Sequence, residues 1–198
     1  MVADCSIVHN FAILSWIDVL VDRLGGSLLL AHGVAGITDD EPSELLRWKK
    51  RYEEKMLAAP AGSGAYVRFL NGSIAIEDLI RRCQRGEIEV TVLNAEETAA
   101  AGSWLRPSRE LRERCGIKAQ LLGSGECASI AVAVNRALGF ATDDLDAVRL
   151  YRCLGGRVHI FTLDVLKSAV RDGLLSEAQA RQGYERLRTD YGFRGPDW

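Results

Sequence analysis

The sequence predicts an α/β protein of three layers, α/β/α, with a mainly parallel central sheet. Two observations carry this. Short apolar runs of strand length alternate with longer stretches at helical spacing along the chain, the pattern of repeated strand–helix units. Glycines close the helical stretches, at 25–26, 86, 139, 155–156 and 173, where the left-handed cap conformation carries no steric cost. At 198 residues the chain is long enough for one domain with a sizeable core, read here as a single unit over residues 1–198.

In chain order, residues 2–8 (VADCSIV) read as a short buried strand, apolar except for Asp4 and Ser6. Residues 10–24 follow as one helix, with Phe11, Leu14, Ile17, Val21 and Leu24 at helical spacing. Residues 27–31 (SLLLA) read as a second buried strand and 34–37 as a helical turn. TDDEPSE offers several helix starts, with Pro42 at a tolerated early position. Residues 43–57 predict an amphipathic helix whose stripe is Leu45, Trp48, Tyr52 and Met56, with Lys49, Lys50 and Arg51 on a solvated face. AAPAGSG at 58–64 is a loop.

Residues 65–70 read as strand or helix, and 73–84 as a helix capped by Ser73. EIEVTVL at 87–93 alternates as a half-buried strand does. Residues 96–105 and 108–115 are helices separated by Pro107. Past the central stretch, 145–154 is helical, 158–161 is a strand, and 162–170 and 176–191 are the last helices, the final one capped by Ser176.

The chain is organised around GSGECASIAVAVNRALGFATDDLD, residues 123–146. A glycine-rich turn leads to Glu126, which opens a helix of small and apolar residues expected to stop at Gly139; Asp143 and Asp144 close the strand after it. In a parallel sheet the carboxyl ends of strands and the amino ends of helices gather on one edge, so acids far apart in sequence share a site there. Asp4, Glu126, Asp143 and Asp144 form the candidate set. Carboxylates brought together repel, which raises their pKa values or recruits a cation. Hard oxygen donors select magnesium or manganese. Each acid also has a plainer reading: Asp4 caps the turn after its strand, Glu126 is an acid favoured by the helix dipole, and Asp143–Asp144 is a turn with a helix cap.

Net charge is −2, so no global field draws the chain to nucleic acid, and any such binding rests on a local basic patch. Arg81, Arg82 and Arg85 read as helix C-terminal charges or as phosphate contacts, and His9 lies near Asp4. Five widely spaced cysteines suggest neither a zinc site nor a disulfide framework, and Cys5 and Cys127 read as packed thiols of a reducing cytosol. No apolar run spans a bilayer, and the acid at Asp4 without a basic region before it argues against a signal peptide.

Three segments resemble the PIN-domain proteins, of the kind related to virulence-associated-protein C toxins: VADCSIVHNFAIL, GSGECASIAVAVNRALG and FATDDLDAVRLYRCLGGRVHIFTLDVLKSAVRDGLLS. The resemblance covers most of the first 40 residues and nearly all of 123–176; residues 58–118 match poorly and are enlarged. It implies a Mg²⁺- or Mn²⁺-dependent ribonuclease with catalytic acids at Asp4, Glu126 and Asp144, Asp143 as a further metal ligand, Ser6 nearby and Asp146 assisting. RNA substrate, a homodimer, an antitoxin partner and a cytoplasmic location, without membrane, are implied with it. The chain departs from the family pattern in two respects. Gly36 or Ile37 stands where an acid is usual, leaving Asp39, Asp40 or Glu44 to replace it, and Ala128 occupies a position that is often acidic. A PIN-fold binding module without catalysis is the alternative that these departures imply.

Overall fold

The computed structural model describes residues 1–35 and 43–198. Five short strands form one all-parallel sheet in the order β3-β2-β1-β4-β5, with helices on both faces. The strands are β1 (Val2–Ala3), β2 (Leu29–Ala31), β3 (Glu89–Thr91), β4 (Phe140–Ala141) and β5 (His159–Ile160). β1 is central: Val2 pairs with Leu29 on one side and Phe140 on the other. The expected three-layer α/β/α architecture is what the chain adopts.

The first strand is shorter than expected. It ends at Ala3, because the Asp4 carboxylate accepts the Ser6 and Ile7 N–H groups and turns the chain into α1 (Cys5–Ile13). The single helix expected over 10–24 is two, α1 and α2 (Ile17–Arg23), because Ser15 takes a left-handed φ of 60°. After β2 comes α3 (His32–Ala35). α4 (Glu44–Ala58) is the amphipathic helix expected there, capped by Ser43.

α5 (Gly64–Gln84) is one continuous helix capped by Ser63, where the sequence suggested a break and a cap at Ser73. Gly72, just before Ser73, has a packing role: a Cβ there would come within 2.8 Å of the Tyr52 ring, so glycine lets α4 and α5 approach. Arg81, Arg82 and Arg85 pair with Glu77, with Asp18 and Asp78, and with Glu87, which answers their charge locally.

α6 (Ala95–Trp104) and α7 (Arg109–Cys115) follow β3. α8 (Ser124–Asn135) runs along β1, β2 and β4 with Ile130, Ala131 and Val132 fully buried. Covering Ile130 and Val132 contributes about 1.5–3 kcal/mol each. α8 stops at Asn135, short of Gly139, and the left-handed turn falls on Ala137 (φ 52°). α9 (Leu145–Cys153), α10 (Thr162–Arg171) and α11 (Glu177–Tyr191) complete the chain. Among the described residues no helix is long and apolar enough to cross a membrane.

Cys115 and Cys153, expected to be free, form a disulfide joining the last residues of α7 and α9. Their separation of 38 residues carried no signal; the packing of the two helices brings the Cα atoms to 5.3 Å. Cys5, Cys83 and Cys127 are free and buried.

A covered ion pair fixes α6 to the end of α8. Arg136 donates Nε to Glu97 Oε1 (2.7 Å) and Nη2 to Oε2 (2.8 Å), and reaches Thr91 Oγ1 (2.7 Å) and the Val92 carbonyl (3.1 Å) beside β3. The Glu97 side chain is 0% exposed. Arg136→Ala leaves that carboxylate covered and unpaired, so it is expected to lower stability by about 3 kcal/mol with an unchanged denaturant slope, read by urea unfolding. A loss under 1 kcal/mol would show that water reaches Glu97.

Candidate acid cleft

β1 and β4 are neighbours, and the sheet order turns in opposite directions from them, so their carboxyl ends flank the crevice where ligands of parallel sheets bind. Asp4 follows β1 directly, and Asp143 and Asp144 follow β4 by two and three residues. A cleft of about 460 Å³ opens beside Asp4, with Glu44 from α4 and Glu126 from α8 in its lining. Arg47, Trp48 and Arg51 form the α4 side, and Leu105, Leu121 and Leu122 lie among the residues lining the rest.

Asp4 is 1% exposed. Its Oδ1 accepts Ser6 N (2.9 Å) and Oγ (2.7 Å), and its Oδ2 accepts the Thr142 hydroxyl. Burial pushes its pKa up to about 7; the Ser6 and Thr142 hydrogen bonds pull the other way, and the Asp143 charge adds to the rise. Thr142 Oγ1 also accepts Asp144 N (3.1 Å), so one fully buried hydroxyl connects the two predicted site acids. Thr142 was not singled out from sequence, although its position between a strand and two acids was the available signal.

Glu126 folds back on its own helix start, where Oε2 accepts Gly123 N (2.9 Å). Burial, then the charges of Asp144 and Asp4, push its pKa up to about 8. Glu126 thus lies within reach of the charges of both Asp4 and Asp144, although the three are far apart in sequence. Glu44 joins them from α4: its Oε1 accepts Gly125 N (3.1 Å) and its pKa is raised by burial, against the Gly125 hydrogen bond and the charges of Arg47 and Arg51. A Cβ on Gly125 would collide with the Glu44 carboxylate, so this approach requires glycine. Of the three acids weighed as replacements near Gly36, Glu44 reaches the cleft; Asp39, Asp40, Gly36 and Ile37 lie outside the described residues.

Asp144 is not among the described residues lining the cleft; it caps α9, its Oδ1 accepting Asp146 N (2.7 Å) and Ala147 N (2.8 Å). Asp143 points elsewhere. Its carboxylate accepts Asn10 Nδ2 (3.0 Å), Thr162 N (2.9 Å) and Thr162 Oγ1 (2.5 Å), which ties α1 to α10. Burial raises its pKa. Asp146 accepts Lys118 N (3.2 Å) and Ala119 N (2.8 Å) and pairs with Arg149. Ala128, at the position that is often acidic in the family, is buried in α8. His9 is buried against Trp48, with Nε2 2.7 Å from the Tyr52 hydroxyl, and burial lowers its pKa to about 4.

The donor chemistry of Asp4, Glu44, Glu126 and Asp144 fits a hard divalent cation, because all are carboxylates and the buried ones repel. Among the described residues no group of three or more His, Cys, Asp or Glu is drawn together as a ready cage. Arg47 and Arg51 add positive charge on the α4 side, with Arg47 Nη2 donating to Ser124 Oγ (3.3 Å) at the start of α8. No family model matches the chain, and no curated protein matches it.

Proposed function

We propose that the chain is a Mg²⁺- or Mn²⁺-dependent endoribonuclease with a PIN-like fold. The observation that carries this is the grouping of acids at the switch point: Asp4 after β1 and Glu126 at the start of α8 line one cleft with Glu44, and the Thr142 hydroxyl bonded to Asp4 accepts the N–H of Asp144 after β4. The resemblance of the three sequence segments supports the same reading.

Asp4, Glu126 and Asp144 would hold the cation, with Glu44 facing them and Asp143 holding the frame through Asn10 and Thr162. The bound cation supplies Lewis-acid polarisation of a phosphate oxygen. Arg47 and Arg51 hold the phosphate backbone by charge-assisted contacts. Glu126 would face the cation through Oε1, since Oε2 is already engaged with Gly123 N. Trp48 and the leucines of the lining limit water at the cleft. The toxin of a toxin–antitoxin pair or a defence nuclease, dimeric and acting in the cytoplasm, is the setting the resemblance implies.

The test is cleavage of a pool of single-stranded and structured RNA with manganese, magnesium or EDTA, beside matched DNA. Metal-dependent RNA cleavage is expected, and none in EDTA. A folded protein that cleaves nothing under any condition would overturn the reading.

One observation favours a second reading, a non-catalytic binding module: Asp4 and Asp144 already serve as helix caps. Absence of manganese binding at millimolar metal in calorimetry would favour it.

A further inference from the structure

Residues 116–122 form part of the lining of the acid cleft through Leu121 and Leu122, and Leu121 is 64% exposed. The segment has no helix or strand of its own. One end is held to α9 twice: by the Cys115–Cys153 disulfide and by the Asp146 carboxylate, which accepts Lys118 N and Ala119 N. The other end is held by Leu122 N on the Leu105 carbonyl (3.1 Å) and by Gly123 N on Glu126. Both sulfurs of the disulfide belong to partly exposed residues, whereas Cys5, Cys83 and Cys127 are buried. A small reductant in solution can therefore approach this pair from the surface.

We infer that the Cys115–Cys153 disulfide is a redox control on the acid cleft, holding its 116–122 wall in place when oxidised and releasing it when reduced. This regulation rests on the proposed cleft as the working site. The reductant is a dithiol. Its thiolate attacks one sulfur, the Cys115–Cys153 bond breaks, and the mixed disulfide is resolved by its second thiol. The dithiol loses two electrons and two protons and becomes a disulfide; Cys115 and Cys153 each gain one electron and one proton and become thiols. The wall then keeps the Asp146 hydrogen bonds to Lys118 N and Ala119 N and its buried Ile117 and Leu122 but loses the covalent tie to α9, and the short hydrogen-bonded segment opens more often.

The experiment compares oxidised protein, protein reduced with dithiothreitol and reoxidised with oxidised glutathione, and the Cys115→Ser/Cys153→Ser variant. Amide exchange, far-UV circular dichroism, manganese affinity and RNA cleavage are read on each. Expected on reduction are at least tenfold faster exchange over residues 117–123, unchanged helical signal, manganese affinity weakened several-fold and recovery on reoxidation. The double serine variant is expected to match the reduced protein and to ignore dithiothreitol. Unchanged exchange at 117–123, or loss of the whole fold on reduction, would overturn the inference, the second by showing a purely structural bond. Equal cleavage in both redox states would also overturn it while leaving the nuclease reading standing. Redox-dependent exchange and manganese binding without cleavage in either state would support the control and remove the nuclease.

Discussion

Asp144→Asn is expected to leave the protein folded and to lower manganese-dependent RNA cleavage by about 10³-fold. The two effects separate because Asp144 does two things. Its Oδ1 caps α9 by accepting Asp146 N and Ala147 N. Asparagine is as good an N-cap as aspartate, so α9 keeps its start. What is lost is the negative charge that reaches Glu126 and would face the cation. Losing several kcal/mol of charge stabilisation is a rate loss of that order. Asp144→Ala is the contrast, losing the charge and also about 1 kcal/mol of cap. Urea unfolding beside a gel cleavage assay reads both. Full activity in the asparagine variant would remove Asp144 from the site, and an asparagine variant that fails to fold would contradict the capping argument.

The second large effect is one of pH. Metal-free protein is expected to lose about 1–3 kcal/mol of stability between pH 6.5 and 8.5. Asp4 and Glu126 have folded pKa values raised to about 7 and about 8, above their ordinary values. The folded state therefore holds more protons than the unfolded chain over this window, and stability falls as pH rises through the folded values. Below about pH 6.5 His9 opposes them: its folded pKa is lowered to about 4, so stability is lost as the unfolded imidazole takes a proton that the buried one refuses. Asp4→Asn flattens the alkaline slope. Manganese reverses it, because binding displaces protons and strengthens as the acids ionise. Urea midpoints at the two pH values, in EDTA and in manganese, check all of this. A metal-free protein equally stable at both would show that water already solvates the two carboxylates.

Much of the fold was legible because several local signals agreed. Ser43 before the Leu45–Tyr52 stripe and Ser176 before Gln179 mark helix starts that the structure keeps. The misreadings have a common cause, tertiary contact overriding local pattern. Asn71-Gly72-Ser73 has the composition of a turn, yet the Tyr52 ring needs the glycine and the helix runs through. Ser15 breaks a well-spaced apolar stripe with one left-handed residue. Asp4 was readable as an unusual acid in an apolar run, and its geometry makes it both a cap and a cleft residue. Asp143 and Asp144 are adjacent and chemically identical, and only the fold shows that one ties α1 to α10 while the other caps α9 within reach of Glu126. The Cys115–Cys153 pairing depends on how α7 meets α9, which spacing does not record.

The central position of β1 has a consequence for how the chain is made. β1 is made before the other four strands, yet it is bordered by β2 at Leu29 and by β4 at Phe140. Such distant pairing forms late, because a long loop must close before any contact rewards it. Asp4 therefore waits on a nascent chain that has no Glu126 and then no Asp144 to meet. Asp144 joins Asp4, Glu44 and Glu126 only after β4 has been synthesised and docked, so truncated or stalled chains ending before residue 140 carry those three acids without it. Asp144 is thus the last of the four acids to be made, and the charge it adds at Glu126 arrives only with the docking of β4.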